Sequence, residues 1–326
     1  MSQTKLKLAI GLGATCSGCD MAIIDLAEKL TDVFNAVDIV FWPTASDQKL
    51  KEFEQLSDGS VDLGFYHGSI ANEENKEIAQ LLRKKTKALI SFGACACHGG
   101  VPGLANLTTT KELFETVYKT PSTVNPDSRQ PQSKTTIGGY SLQLPKKFDT
   151  VQCLHECVDV DYYLPGCPPE VPLLEKVIEA ILTGKLPKKG ETLAPNRILC
   201  DECPRKREEK KIPKIYRIQQ ISPDQEKCLL DQGVICLGPS TRMGCGAKCL
   251  EVNMPCRGCM GPTSKALDQG AKMIASLGSI LGLEGEELMS EEEVKQLIDQ
   301  VKDPLGLFYM FTLPASILKR RNMIQK

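Results

Sequence analysis

The stretch KLKLAIGLGATCSGCD, residues 5–20, decides the fold. Its first half, Lys5–Gly11, reads as an apolar β-strand, and Asp20–Phe34 reads as an amphipathic helix. Between them the chain turns through a cysteine pair. Working outward, Val37–Trp42, Val61–Tyr66, Ala88–Phe92 and Val160–Leu164 read as further short strands. Asn72–Lys85 is predicted helical, with Ile78, Leu81 and Leu82 at helical spacing, and so is Val171–Leu182. Strands alternating with helices in this way predict an α/β fold built on a doubly wound parallel sheet. Such sheets place their ligands beyond the carboxyl ends of the strands. The turn superficially suggests a dinucleotide-binding fingerprint. However, Gly11-Leu12-Gly13 is followed by Cys16, where that fingerprint requires glycine.

The remainder divides by composition. Between residues 102 and 149 the periodicity weakens, and TPSTVNPDSRQPQSK (120–134) marks a surface insertion with a short helix near Lys111–Tyr118. The domain divisions expected are 1–190, 191–262 and 263–326. The middle one holds eight of the 15 cysteines, is rich in Gly and Pro, and reads as a small, largely irregular domain. Helices are expected again at Asp268–Gly282 and Ser290–Val301. The apolar tail Leu305–Leu318 is interrupted by Pro314 and reads as packed against this chain or a partner.

Bulk properties exclude several classes. The 326 residues are 41% apolar and 25% charged, with a formal net charge of −1, so no basic nucleic-acid footprint is present. The mixed-charge run Arg205–Lys211 reads as a solvated face. No apolar run reaches the roughly 18 residues of a membrane span, and the N-terminus shows no secretory signal. A cytoplasmic location is expected. In that reducing setting 15 cysteines favour metal or redox use over disulfides.

The cysteines fall into sets. Cys16 and Cys19 in TCSGCD, Cys95 in SFGACACHGG and Cys167 in LPGCPPE each follow a predicted strand directly. A parallel sheet would bring them to one edge, and four thiolates there suit a [4Fe–4S] cluster, with zinc as the competing occupant. Cys200 and Cys203 lie in LCDECPRK, and Cys228 and Cys236 in KCLLDQGVICLGP. Cys245 and Cys249 lie in GCGAKC, and Cys256 and Cys259 in PCRGCMGP. Glycines beside them allow close backbone approach to sulfur. Two more clusters fit this segment, though spacing does not fix which cysteine serves which. Cys97, Cys153 and Cys157 are left over. Cys97 reads as a small buried hydrophobe, and Cys153 and Cys157 as either a redox pair or structural residues. Of the three histidines (His67, His98 and His155), His98 lies beside the Cys95 loop, where it would either tune a cluster by hydrogen bonding or serve structure. No nucleophile–base set, phosphate loop or zinc-protease helix is present.

These motifs carry a resemblance. TCSGCD, GAC followed by GG, and LPGCPP resemble the proximal-cluster half of nickel–iron hydrogenase small subunits. CDECPRK, KCLLDQGVICLGP, GCGAKC and PCRGCMGP are similar to the remaining cluster segments of the same subunits, in the same order. The likeness covers residues 5–262 and is nearest to the cytoplasmic branch of methyl-viologen-reducing and coenzyme-F420-reducing enzymes. It implies a flavodoxin-like first domain and three [4Fe–4S] clusters. The implied proximal ligands are Cys16, Cys19, Cys95 and Cys167. Cys200, Cys203, Cys228 and Cys236 would hold the distal cluster, and Cys245, Cys249, Cys256 and Cys259 the medial one. Cys200 stands where the exported branch commonly has a histidine ligand. Cys249 supplies a fourth thiolate where that branch has three. Both changes add thiolate charge, which is expected to lower reduction potential.

The resemblance further implies a large-subunit partner carrying the nickel–iron site, and an additional electron-accepting iron–sulfur or flavin subunit. This chain would relay electrons without performing bond chemistry itself. Three other readings compete: a zinc-stapled structural or interaction protein, a quinone-reductase-type subunit, and a single-chain iron–sulfur oxidoreductase. The second is disfavoured because the chain lacks an adjacent cysteine pair.

Overall fold

The computed structural model describes residues 5–208, 211–282 and 290–319. Among the described residues nine strands run in the order β1 Leu6–Leu12, β2 Val37–Phe41, β3 Val61–His67, β4 Ile70–Asn72, β5 Thr86–Phe92, β6 Lys134–Ile137, β7 Tyr140–Gln143, β8 Lys147–Gln152 and β9 Tyr162–Leu164. Five of them form the central sheet in the order β2-β1-β3-β5-β9, and every pairing in it is parallel. Counted within the sheet this is 2-1-3-4-5, the flavodoxin-like order.

Apolar residues of these strands pack on both faces, as parallel sheets require. Leu8, Ile10, Phe65, Ile90 and Leu164 join one core with Trp42 and Leu174. Ala9, Tyr66 and Leu89 join the other with Phe53, Ile70 and Leu82. Adjacent residues thus serve opposite faces, following the two-residue period of a strand.

The flanking helices are α1 Gly18–Ile24, α2 Lys29–Ala36, α3 Leu50–Gln55, α4 Glu73–Lys85 and α5 Gly93–His98, with α6 Thr110–Lys119 in the insertion and α7 Val171–Leu182 after β9. Helix α4 begins where Asn72 Oδ1 accepts from Asn75 N–H at 2.8 Å, satisfying an orphan donor. It closes on Arg83, Lys84 and Lys85, which complement the carboxyl end of its dipole.

Some expectations change. The single helix predicted over Asp20–Phe34 is two. Ala27 adopts φ +51°, and the turn lets Leu26, Leu30 and Val33 all pack against the first core. The insertion is more ordered than its composition suggests. Its β6–β7 hairpin turns at Gly138 and Gly139, both with positive φ, as a tight two-residue hairpin demands. The hairpin strands are exposed throughout. Strand β8 pairs antiparallel with β4.

Beyond residue 190 regular structure is sparse until the last helices: α8 Lys248–Glu251, α9 Gln269–Ile280, α10 Glu291–Ile298 and α11 Pro304–Phe308. One apolar cluster joins Leu199, Leu229, Val234 and Leu237 to Met273, Phe308, Tyr309 and Leu313. Part of the expected third segment, 283–289 and 320–326, lies outside the described residues. The tail returns to the first region. Gly100 N–H donates to Phe311 O at 3.1 Å, Pro314 lies on Gly99 and Gly103, and Asn106 Nδ2 donates to Lys319 O at 2.9 Å.

The solvated reading of Arg205–Lys211 is corrected at Arg205, which is buried. Its guanidinium donates to the carbonyls of Leu250, Asp224 and Lys227 and to Asn253 Oδ1. A segment with little regular structure leaves carbonyls without partners, and one guanidinium with five donors gathers several of them. Residues 209 and 210 of that run lie outside the described residues. Among the described residues no helix is long and apolar enough to cross a membrane.

Candidate metal centres

All fifteen cysteines are free thiols. Cys16 lies in the turn from β1 into α1, Cys19 in the first turn of α1, Cys95 in α5 directly after β5, and Cys167 just after β9. Because the strands are parallel, these turns share one edge of the sheet. The thiols there feel one another. Burial pushes the Cys19 thiol well up, and Cys95 and Cys167 add to the effect. Burial raises Cys95 to about 12, reinforced by Cys167 and Cys16. Cys167 is raised by burial and then by Cys16. Two glycines make the crowding possible. Gly93 and Gly100 both have positive φ, and a side chain at either would run into the sulfur of Cys19 or Cys95, respectively.

Behind this edge lies a polar group the sequence reading did not single out. Asp20, adjacent to Cys19, is buried, and its Oδ1 accepts from Trp42 Nε1 at 2.8 Å and Thr44 Oγ1 at 2.9 Å. The same oxygen lies 3.0 Å from Nε2 of the fully buried His67. Thr15 Oγ1, in the cysteine turn, lies 3.3 Å from His67 Nδ1. Burial alone would raise the Asp20 carboxyl. The bonds from His67, Trp42 and Thr44 outweigh it and hold the group below the usual carboxylate range. This set ties the first turn to β2 and β3. Trp42, the sole tryptophan of the chain, beside a carboxylate next to Cys-x-x-Cys was the available signal.

Two further sets occupy the irregular region. Burial raises Cys200 to about 12, and Cys236, Cys228 and Cys203 reinforce it. Cys236 is raised to about 11 by burial, although N–H donors from Gly238 and Cys256 oppose the rise. Burial takes Cys245 to about 11, offset by the Ala247 N–H and reinforced by Glu202 and Cys249. Cys259 reaches about 12 through burial, then Cys245, Cys167 and Cys249. Cys256 is raised by burial and then by Cys236, with Thr241 opposing and Cys259 adding.

The sets touch. The Cys167 backbone lies near enough to the Cys259 thiol to oppose the rise in its pKa, which links the sheet edge to the last set. The Cys256 N–H donates to Cys236 Sγ at 3.3 Å, which links the last set to the middle one. Both links enter the Cys-x-x-Cys pair Cys256/Cys259.

The donors suit iron–sulfur clusters. Thiols with raised pKa values become thiolates only beside strong positive charge, which bound metal supplies. N–H groups aimed at sulfur match the hydrogen bonding that tunes such clusters. Among the described residues no three His, Cys, Asp or Glu side chains are gathered closely enough for a single metal ion.

Three cysteines remain, and Cys97 lies close enough to Cys19 and Cys95 for their thiols to raise one another's pKa values. Cys97 is buried, and its thiol donates to Ser91 O at 3.2 Å. Cys153 is buried while Cys157 is half-buried, with a short 3₁₀ turn, Leu154–Glu156, between them. His98 packs against Gly261, and burial lowers it to about 4, with His155 and Arg242 adding.

Comparison with known proteins agrees with this architecture. Residues 16–181 match the family described as NADH ubiquinone oxidoreductase, 20 Kd subunit. The iron-sulfur subunit of the F420-non-reducing hydrogenase of Archaeoglobus profundus is 41% identical over 323 residues, covering 97% of this chain and 98% of the relative. The chain belongs to the nickel–iron hydrogenase small-subunit family. A subunit of the F420-non-reducing hydrogenase of Methanothermobacter thermautotrophicus is 37% identical over 325 residues, 99% of this chain and 98% of that one. A chain of the recombinant [NiFeSe] hydrogenase of Desulfovibrio vulgaris Hildenborough superposes with a TM-score of 0.51 at 16% identity, covering 80% of this chain and 95% of that one, a likeness of fold alone. As a hydrogenase small subunit, the chain is an electron-transfer component of an oxidoreductase and has an α/β fold.

Proposed function

We propose that this subunit relays electrons between a nickel–iron site in a large subunit and a separate electron-carrier subunit, through three [4Fe–4S] clusters. The proximal cluster is held by Cys16, Cys19, Cys95 and Cys167 on a domain spanning 1–190. The medial cluster is held by Cys245, Cys249, Cys256 and Cys259, and the distal by Cys200, Cys203, Cys228 and Cys236, both within 191–262. Residues 263–326 form a helical extension. The complex works in the cytoplasm, either oxidising hydrogen or reducing protons.

The observation that carries this reading is the Cys256 N–H bond to Cys236 Sγ together with the approach of the Cys167 backbone to the Cys259 thiol. They join the three thiol sets in one line, with the medial set in the middle. When bound, the clusters supply one-electron redox chemistry at low potential. The chain's own residues hold the thiolates, donate hydrogen bonds to sulfur and exclude water. Cys236 and Cys256 are buried for that last purpose.

Metal and sulfide analysis of the anaerobically purified chain tests this. About twelve irons with matching sulfide and no nickel are expected. Two or three zincs with little iron would leave a structural metal protein instead.

A further inference from the structure

A cavity of about 280 Å³ lies against the two outer thiol segments. Val234 and Ile235, which lead into Cys236, form part of its wall, and Pro255 and Arg257, which bracket Cys256, form another. Three cations border it. Arg217 and Lys302 are solvent-exposed, and Arg257 is half-buried. None of the three makes an ion pair with another described residue. The Arg257 Nε is buried and has no hydrogen-bond partner. The carboxylate of the lining, Asp303, is engaged in capping α11, where its Oδ1 accepts from Gly306 N–H at 3.0 Å.

A buried guanidinium nitrogen without an acceptor is costly, and a planar guanidinium matches a carboxylate in two-point geometry. Exposed cations at the mouth would steer an anionic partner toward it. The apolar wall adds contact area that a small inorganic anion would not fill. Whatever enters lies against the segments that hold Cys236 and Cys256.

We propose that this cavity is the docking point for a carboxylate-bearing segment of the electron-accepting subunit. This deepens the relay reading and rests on it: the acidic segment anchors on Arg257, is steered by Arg217 and Lys302, and brings the acceptor's redox group beside the distal thiol set.

The test uses the complex purified from its own host, with the acceptor taken as the subunit that hydrogen bleaches through this chain. Arg217→Glu and Lys302→Glu are combined, because both side chains are exposed and neither belongs to a thiol set. The expected result is at least about a tenfold weaker hold on the acceptor, read as dissociation at lower salt by native mass spectrometry. Iron content and hydrogen-driven viologen reduction should match the wild type, and Arg217→Lys with Lys302→Arg should restore the hold. Retention of the acceptor to the same salt concentration would overturn the proposal. So would saturable binding of inorganic phosphate at the cavity with acceptor binding unchanged, since it assigns the site to a small anion. A wild-type complex that reduces neither viologen nor any partner under hydrogen defeats the relay reading itself, and the docking site with it.

Discussion

The sheet region and the irregular region use cysteine in opposite ways. In the first, the two cores are built from strand and helix residues such as Ile10, Phe65, Leu82 and Leu89, and the thiols lie in turns and short helices at the sheet edge, with Cys19 alone of that set reaching a core as a buried member. In the second, Cys236 and Cys256 belong to the core itself, and Cys203, Cys228 and Cys245 pack against it. One scaffold has cores that depend little on thiols. The other places two thiols inside its apolar cluster, so on the relay reading metal binding there should be coupled to folding.

The largest expected effect separates the two directly. Stripping iron and sulfide anaerobically should leave the amides of β3 and β5 protected against hydrogen exchange while residues 199–260 lose protection by orders of magnitude. Equal protection of both regions would break the comparison. Next in size, Cys236→Ser should cost more iron than Cys16→Ser. Cys236 is buried and receives the Cys256 N–H, so its loss disturbs two sets, about eight irons against about four. Equal losses, by iron analysis of the two variants, would show that the outer sets fold independently.

A smaller effect sharpens the picture of the sheet region. Asp20→Asn removes the charge facing His67 and weakens bonds to Trp42 and Thr44. It should destabilise the fold by about 2–4 kcal/mol, read as a lowered urea midpoint. A shift under about 0.5 kcal/mol would mean that the buried group is not coupled to folding. The smallest effect is pH-dependent. Asp161 accepts from Arg83 Nη1 at 2.6 Å and from the Leu89 N–H at 2.8 Å, and pairs with Lys189. Burial would raise its pKa, but these donors prevail and lower it. A carboxyl depressed in the folded state contributes stability above its unfolded value, near 3.9. That contribution fades as pH falls through the lower folded value. Asp161→Asn should therefore flatten the acid limb of the stability curve below about pH 4 and leave its shape near neutrality unchanged. An unaltered acid limb would assign it to other carboxylates.

Sequence reading served the sheet region well because burial there is periodic. The helix Val171–Leu182 emerges with its expected bounds, and β5 gains only Thr86 and Lys87, polar residues ahead of the apolar run. The convergence of Cys16, Cys19, Cys95 and Cys167 was legible because parallel strands put all their carboxyl ends at one edge. Helix α5 was not legible: GACACH has no apolar stripe and reads as a loop. The exposed β6–β7 hairpin buries nothing, so its Gly138-Gly139 turn had no hydrophobic pattern to flank it. Arg205 was misread because charge usually signals solvent, and nothing local announces the separate chain segments whose oxygens it collects. The contacts between thiol sets depend on tertiary folding of an irregular segment, which spacing does not encode.

The tail adds a matter of timing. Residues 311–319 lie over Gly99–Asn106, immediately beyond Cys95. Synthesis runs from the amino end, so the wall beside the first thiol set is laid by a segment made well after Cys95 and Cys167.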